Sequence, residues 1–144
     1  MSAYEDLNHA LKQRGYSITR SREIVFNTLS GSTPLTTADL IKRINKRIDR
    51  VSVYRTIKLF EELGIIQRLN FGFKYKLELS DRFAEHHHHL TCIGCNRITD
   101  INKKELEAFI NSIASDKEFL PSAHQIEIQG YCKKCRETEK QLNN

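Results

Sequence analysis

The chain has 144 residues and four cysteines, and its net charge is +5. This length suits one ordinary domain or two small ones. No stretch approaches the ~18 consecutive apolar residues of a membrane span, and MSAYEDLNHALKQRG lacks a signal-peptide core, so a cytoplasmic protein is expected. The charge is uneven: residues 1–85 carry 15 Lys+Arg against 10 Asp+Glu, residues 86–144 carry 8 of each, and from Lys12 to Lys58 the balance is 11 to 3. Such a concentration points to a polyanionic partner, nucleic acid first. A membrane surface would call for a long amphipathic stripe, and the bland alternative is a solvated surface.

Residues 4–14 read as a short helix stopped by Gly15. Next, TRSREIVFNTLSG sets Ile24, Val25, Thr28 and Leu29 at helical spacing, with Thr19 or Ser21 as N-cap and Gly31 as stop. In TTADLIKRINKRI, Thr36 and Asp39 have capping-box spacing, and Leu40, Ile41, Ile44 and Ile48 form the apolar face. In DRVSVYRTIKLFEELG, Val53, Ile57, Phe60 and Leu63 project to one side, while Arg55 and Lys58 point the opposite way. Tyr54 lies on the flank, Ser52 lies near the start, and Gly64 ends the segment.

The period then changes. IIQRLNFGFKYKLEL reads as two strands around a turn at Asn70–Gly72. Helices followed by a two-stranded wing make a winged helix-turn-helix, whose last helix packs one side on the others and offers its polar side to the major groove. An ordinary surface helix would also be polar outside, so the order of elements and the charge carry this reading. Residues 1–79 are therefore expected to form a DNA-binding domain. Ser52, Tyr54, Arg55 and Thr56 would reach toward bases, with Lys58 and other Lys and Arg residues on phosphates.

SDRFAE, residues 80–85, reads as a polar hinge. Residues 86–144 follow as strand, strand, helix, strand. HHHLTC and RITDI are the first two strands, and NKKELEAFINSIA is a helix with an Asn102/Glu105 capping box and a stripe of Leu106, Phe109, Ile110 and Ile113. HQIEIQG is the last strand, with Ile126 and Ile128 on one face, and RETEKQLNN is a frayed tail. The expected class is α+β, a winged helix followed by a small α/β domain.

The four cysteines form two CxxC pairs, Cys92/Cys95 and Cys132/Cys135, with 36 residues between them. Two such clips complete a tetrahedral thiolate site, which zinc fills without redox chemistry and which leaves no position open for substrate. A single CxxC would leave thiol redox or disulfide chemistry competitive; two favour zinc. Just before them stands EHHHHL. On an extended chain His86 and His88 face one way, His87 and His89 the other. Glu78 or Asp100 is a candidate partner for one pair, Glu107 and His124 for the other. Mixed histidine and carboxylate sets suit Zn, Fe, Mn, Co or Ni, and they exchange more readily than four thiolates.

HHHHLTCIGC, TDI, SAHQIEIQGYCKKC and VSVYRTIKLFEELGII together resemble the ferric uptake regulator family, over residues 4–135. The resemblance implies a homodimeric, metal-dependent transcriptional regulator with a winged helix, a C-terminal dimerisation domain and an AT-rich palindromic operator. It implies structural zinc on Cys92, Cys95, Cys132 and Cys135. It assigns His86, His88, Glu107 and His124 to a dimerisation-domain site, and His87, His89 and Asp100 to an interdomain sensing site. Tyr54 and Arg55 match the recognition-helix pair, and Arg22 matches a basic residue near the operator. The sensing site departs from the family pattern twice. Pro34, which cannot ligate, stands where a histidine is usual, and Lys76 stands at the usual acidic position unless the strand is slipped, which brings Glu78 there.

The expectation is a dimeric repressor, not an enzyme, with structural Zn2+ and a second, regulatory Fe2+, Zn2+, Mn2+ or Ni2+, acting on double-stranded DNA. A peroxide-sensing regulator of the same family is the alternative: Asp100 favours it and the missing histidine opposes it. A metallohydrolase is the rival from another class, opposed by the lack of an obvious base beside an open three-ligand site.

Overall fold

The computed structural model describes residues 3–71 and 74–142 and divides into two compact units, one ending at Glu85 and the other beginning at His86. The first unit contains α1 (Ala3–Gln13), α2 (Arg20–Leu29), α3 (Thr37–Ile44), α4 (Arg50–Glu62) and the antiparallel pair β1 (Ile66–Phe71) and β2 (Lys74–Leu79). Each of α2, α3 and α4 starts on a side-chain cap: Thr19 accepts from the Arg22 N–H, Thr36 from Asp39 and Asp49 from Ser52. The Thr36/Asp39 pair expected from sequence is therefore formed. Leu7, Leu11, Val25, Phe26, Leu40, Ile44, Val53, Phe60, Ile65 and Leu77 build one continuous core. Phe26 belongs to it at 2% exposure, although the period assigned to α2 passed it over.

Two details of the wing differ from expectation. Asn70 is paired with Tyr75 in the ladder, so the strand runs past the residue assigned to the turn; Gly72 lies outside the described residues. Leu35 also bridges Leu77, its N–H donating to the Leu77 carbonyl at 2.9 Å, so the segment before α3 joins the wing as a short third edge. The stretch 80–85, expected as a polar hinge, belongs structurally to the first unit. Phe83 is buried in that core, edge-on to Phe26 at 6.0 Å, and the Phe83 N–H bonds the Ser80 carbonyl. One aromatic in a polar hexapeptide outweighed the composition of the rest.

The second unit is a three-stranded sheet in the order β4-β3-β5, with β3 (His88–Cys92) central, antiparallel to β4 (Ile98–Ile101) and parallel to β5 (Glu127–Gly130). Helix α5 (Lys104–Asp116) makes the crossover between β4 and β5, and α6 (Lys133–Leu142) follows β5. Here two expectations need correction, and a third element is placed more exactly. The Asn102/Glu105 capping box does not form: the N-cap is Lys103, without a side-chain cap. The stripe expected on α5 is left uncovered within the chain, since α5 buries no residue and Phe109 is 63% exposed. The tail is not frayed through Leu142 but helical, because Cys132 starts a helix (its carbonyl accepts from the Arg136 N–H) and KKCRETEK is made of residues that helices accommodate. No helix among the described residues is long and apolar enough to cross a membrane.

Candidate metal centres

The thiol site is assembled by two turns at one end of the sheet. Cys92 ends β3 and Cys95 lies in the turn to β4, closed by the Cys92 N–H to Arg97 carbonyl and Asn96 N–H to Cys92 carbonyl bonds. Cys132 follows β5, and Cys135 lies one helical turn on, in α6. All four sulfurs are within 4.8 Å of one another, with Cys95 Sγ 3.9 Å from Cys132 Sγ. A tetrahedral ion with ~2.3 Å zinc–sulfur bonds requires sulfur–sulfur edges of ~3.8 Å, so the set fits zinc with small adjustment. The site is also built tightly: a Cβ on Gly94, the second of the two residues between Cys92 and Cys95, would lie 2.9 Å from the Cys135 Cβ, so glycine there lets the two turns approach without a shift.

Electrostatics inside the cluster point the same way. The Cys132 N–H donates to the Cys92 sulfur at 3.2 Å and, against its desolvation, pulls that thiol down to about 6. Cys135 is pushed up to about 12, first by its hydrogen bond with Cys132 and then by burial. Hydrogen bonding within the cluster thus favours the thiolate at Cys92 and the thiol at Cys135. A bound dication would favour the thiolate at all four.

The second site takes its donors from the lead-in to β3 (His86) and its first residue (His88), from α5 (Glu107) and from the loop before β5 (His124). Their ligand atoms also lie within 4.8 Å of one another. His88 Nε2 is 2.7 Å from Glu107 Oε1, His124 Nε2 is 3.0 Å from Glu107 Oε2, and His86 Nε2 is 3.0 Å from His124 Nε2. His88 is 1% exposed. Desolvation works to raise the Glu107 carboxyl, but the His88 hydrogen bond and the three imidazoles around it hold the group below its usual range. Three imidazole nitrogens and one carboxylate converging from three elements make a borderline-hard donor set suited to Zn, Fe, Mn, Co or Ni.

The other two histidines behave as the alternation predicts. The His87 and His89 rings meet edge-on at 4.8 Å, and His89, paired with Asp100 across the β3–β4 ladder, has its Nε2 3.7 Å from Asp100 Oδ1. Glu78 lies on β2 in the first unit, buried, with its Oε1 accepting from Gln67 Nε2 at 2.7 Å. Lys76 is two residues away on the same strand and half-buried, and Pro34 is buried ahead of α3.

On the first unit, α4 exposes Tyr54, Arg55 and Lys58 on one side and buries Val53, Ile57 and Phe60 on the other. Arg22 and Arg55 line one small cleft together with Thr19, Ser21 and Ser52. Two expected base-reading residues are placed otherwise. Thr56 is 5% exposed and packs on the buried side of α4, at the floor of that cleft, so it is not on the exposed surface of the helix. Ser52 is half-buried and its hydroxyl donates to Asp49 at 2.6 Å, which gives it a capping role. Sequence reasoning treated Thr19 and Ser21 as possible caps only, and it did not single out Gly94.

The model of the Ferric uptake regulator family matches residues 13–129. The chain belongs to this family. Among its relatives, the ferric uptake regulation protein of Escherichia coli strain K12 is 31% identical over 142 residues, covering 93% of this chain and 95% of that protein. The peroxide-responsive repressor PerR of Staphylococcus epidermidis is 28% identical over 135 residues, covering 89% and 87%. The fold is similar to that of the Helicobacter pylori ferric uptake regulator Fur, whose structure reveals three functional metal binding sites. The TM-score is 0.76 at 26% identity, with 95% of this chain and 93% of that chain covered. Within this family frame, the α+β architecture expected from sequence holds.

Proposed function

We propose that the chain is a cytoplasmic, metal-responsive repressor that binds a double-stranded DNA operator as a homodimer when its regulatory metal is bound. The observation that carries this reading is the presence of two chemically different ligand sets on one small sheet: four thiols at one end, and His86, His88, Glu107 and His124 at the other. Thiolates suit a zinc ion that stays, whereas imidazole and carboxylate suit an ion that exchanges. When bound, each ion supplies positive charge and fixed coordination that hold separate elements together.

His87, His89 and Asp100, all on the second unit, would make a second exchangeable set. With Pro34 and Lys76 at two positions where the family usually supplies ligands, this set is poorer in donors than the family pattern. The dimer reading is supported by the bare apolar surface of the second unit: Phe109 and Ile113 on α5, and Leu90 and Ile128, which pair across β3 and β5. Exposed apolar patches of this kind mark interfaces. Arg55 and Tyr54 on the exposed side of α4 read bases, while Arg22 and Lys58 contact phosphates.

The test is selection of metal-loaded protein on a random duplex pool. Enrichment of an AT-rich inverted repeat is expected, with an Arg55→Ala variant losing affinity and specificity for it, and a Phe109→Asp variant sedimenting as a monomer that binds it weakly. A pool that stays random, or metal-dependent hydrolysis without DNA binding, would contradict the reading. A peroxide-sensing role is the second reading, favoured by the PerR relative and by Asp100 beside His89. It predicts an added oxygen on a site histidine after iron and peroxide treatment.

A further inference from the structure

The last turn of α1 closes as a Schellman motif. The Gly15 N–H donates to the Lys12 carbonyl at 3.0 Å and the Tyr16 N–H to the Leu11 carbonyl at 2.9 Å, with Gly15 at φ +77°. Glycine takes that left-handed position without strain, so the direction in which the chain leaves α1 is fixed. The residue fixed by it is Tyr16, an aromatic that is 39% exposed. The Arg22 guanidinium carbon lies over the Tyr16 ring at 5.2 Å from its centroid, within cation–π range, and the same guanidinium donates to the Ser17 carbonyl.

Neither partner neutralises the charge. A carboxylate there would quench Arg22; a π face and a carbonyl hold it and leave it cationic. The guanidinium so held lines the cleft between α2 and α4, about 170 Å³, together with Thr19, Ser21, Ser52 and Arg55. Among the described residues no carboxylate lines that cleft, and Asp49 ahead of Ser52 is engaged in capping α4 through Ser52. Two guanidinium groups and several hydroxyls with no acid among them match an oxyanion such as a phosphodiester.

We propose that Tyr16 is a positioning residue for DNA binding: its ring and the Ser17 carbonyl hold Arg22 ready for a backbone phosphate at the α2–α4 cleft. This rests on the DNA-binding reading above. Its physical basis is preorganisation, since a long side chain already held in its bound rotamer loses less freedom on association.

The test is fluorescence anisotropy of the metal-loaded full chain on a labelled AT-rich inverted-repeat duplex, across a salt series. The variants are Tyr16→Phe, Tyr16→Leu, Arg22→Ala and the double variant Tyr16→Leu/Arg22→Ala. Leucine keeps an apolar residue on the helix cap but removes the π face, so it separates packing from charge holding. Tyr16→Phe should bind like the wild type, and Tyr16→Leu should weaken binding about 2–5-fold. Arg22→Ala should weaken it further and lower the salt slope by about 1. The double variant should be no weaker than Arg22→Ala alone, because the tyrosine acts through the arginine. Equal losses from Tyr16→Leu in both backgrounds, a loss in Tyr16→Phe equal to that in Tyr16→Leu, or no loss at all would overturn the proposal while leaving the DNA reading intact. A wild-type chain that binds no duplex at low salt would overturn both.

Discussion

The two units of this chain are held together by different forces. The first is built as an ordinary globular domain, in which α1 to α4 and the wing bury a continuous set of leucine, isoleucine, valine and phenylalanine side chains. In the second, the buried residues among those described are only Cys92, Ile98, His88, His89 and Thr91, and α5 buries none. Its side chains converge instead on two clusters of metal-ligating groups. Apolar burial is available at all times, whereas a ligand cluster stabilises only when filled. The difference teaches where regulation could enter under the proposed function: the winged-helix unit has an apolar core of its own, and the unit that carries the ligand clusters is the one short of a core.

The sharpest way to break this comparison is to remove one thiolate. A Cys92→Ser variant should lose its tightly held zinc and, with it, slow amide exchange throughout β3, β4 and β5, while α2 and α4 stay protected. Equal loss in both units would mean that the core of the first does not stand alone. A smaller and opposite effect is expected from Phe83→Ala, which removes an aromatic from the first unit's core. It should destabilise that unit by about 3–5 kcal/mol in chemical denaturation, with metal content unchanged. Coupled loss of zinc would show that residues 80–85 support the second unit instead.

The smallest effect concerns acid. Hydrogen bonds from the Ser52 hydroxyl and then the Ser52 N–H hold the Asp49 carboxyl below its ordinary value of 3.8. Its folded value is depressed, so its contribution to α4 is fully present above that ordinary value and is lost as pH falls through the lowered one. NMR of the Ser52 amide should therefore hold steady from neutral pH to about 4 and shift only below it. A shift centred near neutrality would assign the cap to another group.

The regular parts of the fold were legible because local patterns and tertiary packing agree there. The caps Thr19 and Thr36, the apolar side of α4 and the change of period into the wing are each written in a few consecutive residues. The same holds for the two metal clusters, since CxxC spacing and strand alternation turn sequence distance into spatial proximity. Where expectation failed, a distant partner decided. Phe83 looked like part of a polar connector until Phe26 and the core claimed it, and Thr56 looked like part of an exposed helix surface until packing buried it. The apolar stripe of α5 is legible as a period, but periodicity alone does not say what covers it, and within the chain α5 buries no residue. The Tyr16–Arg22 contact was invisible for a further reason: it depends on the left-handed turn at Gly15, whose geometry no spacing rule supplies.

Regulation is proposed to rest on a division of labour between two ions, and one titration tests it. The purified protein is taken through graded chelation, with metal per chain measured by inductively coupled plasma mass spectrometry and operator binding measured on the same samples. One zinc per chain should persist while DNA affinity falls in step with loss of a second, histidine-bound ion. Affinity that stays constant after every exchangeable ion has gone, or that falls only when the thiolate-held zinc leaves, would contradict it.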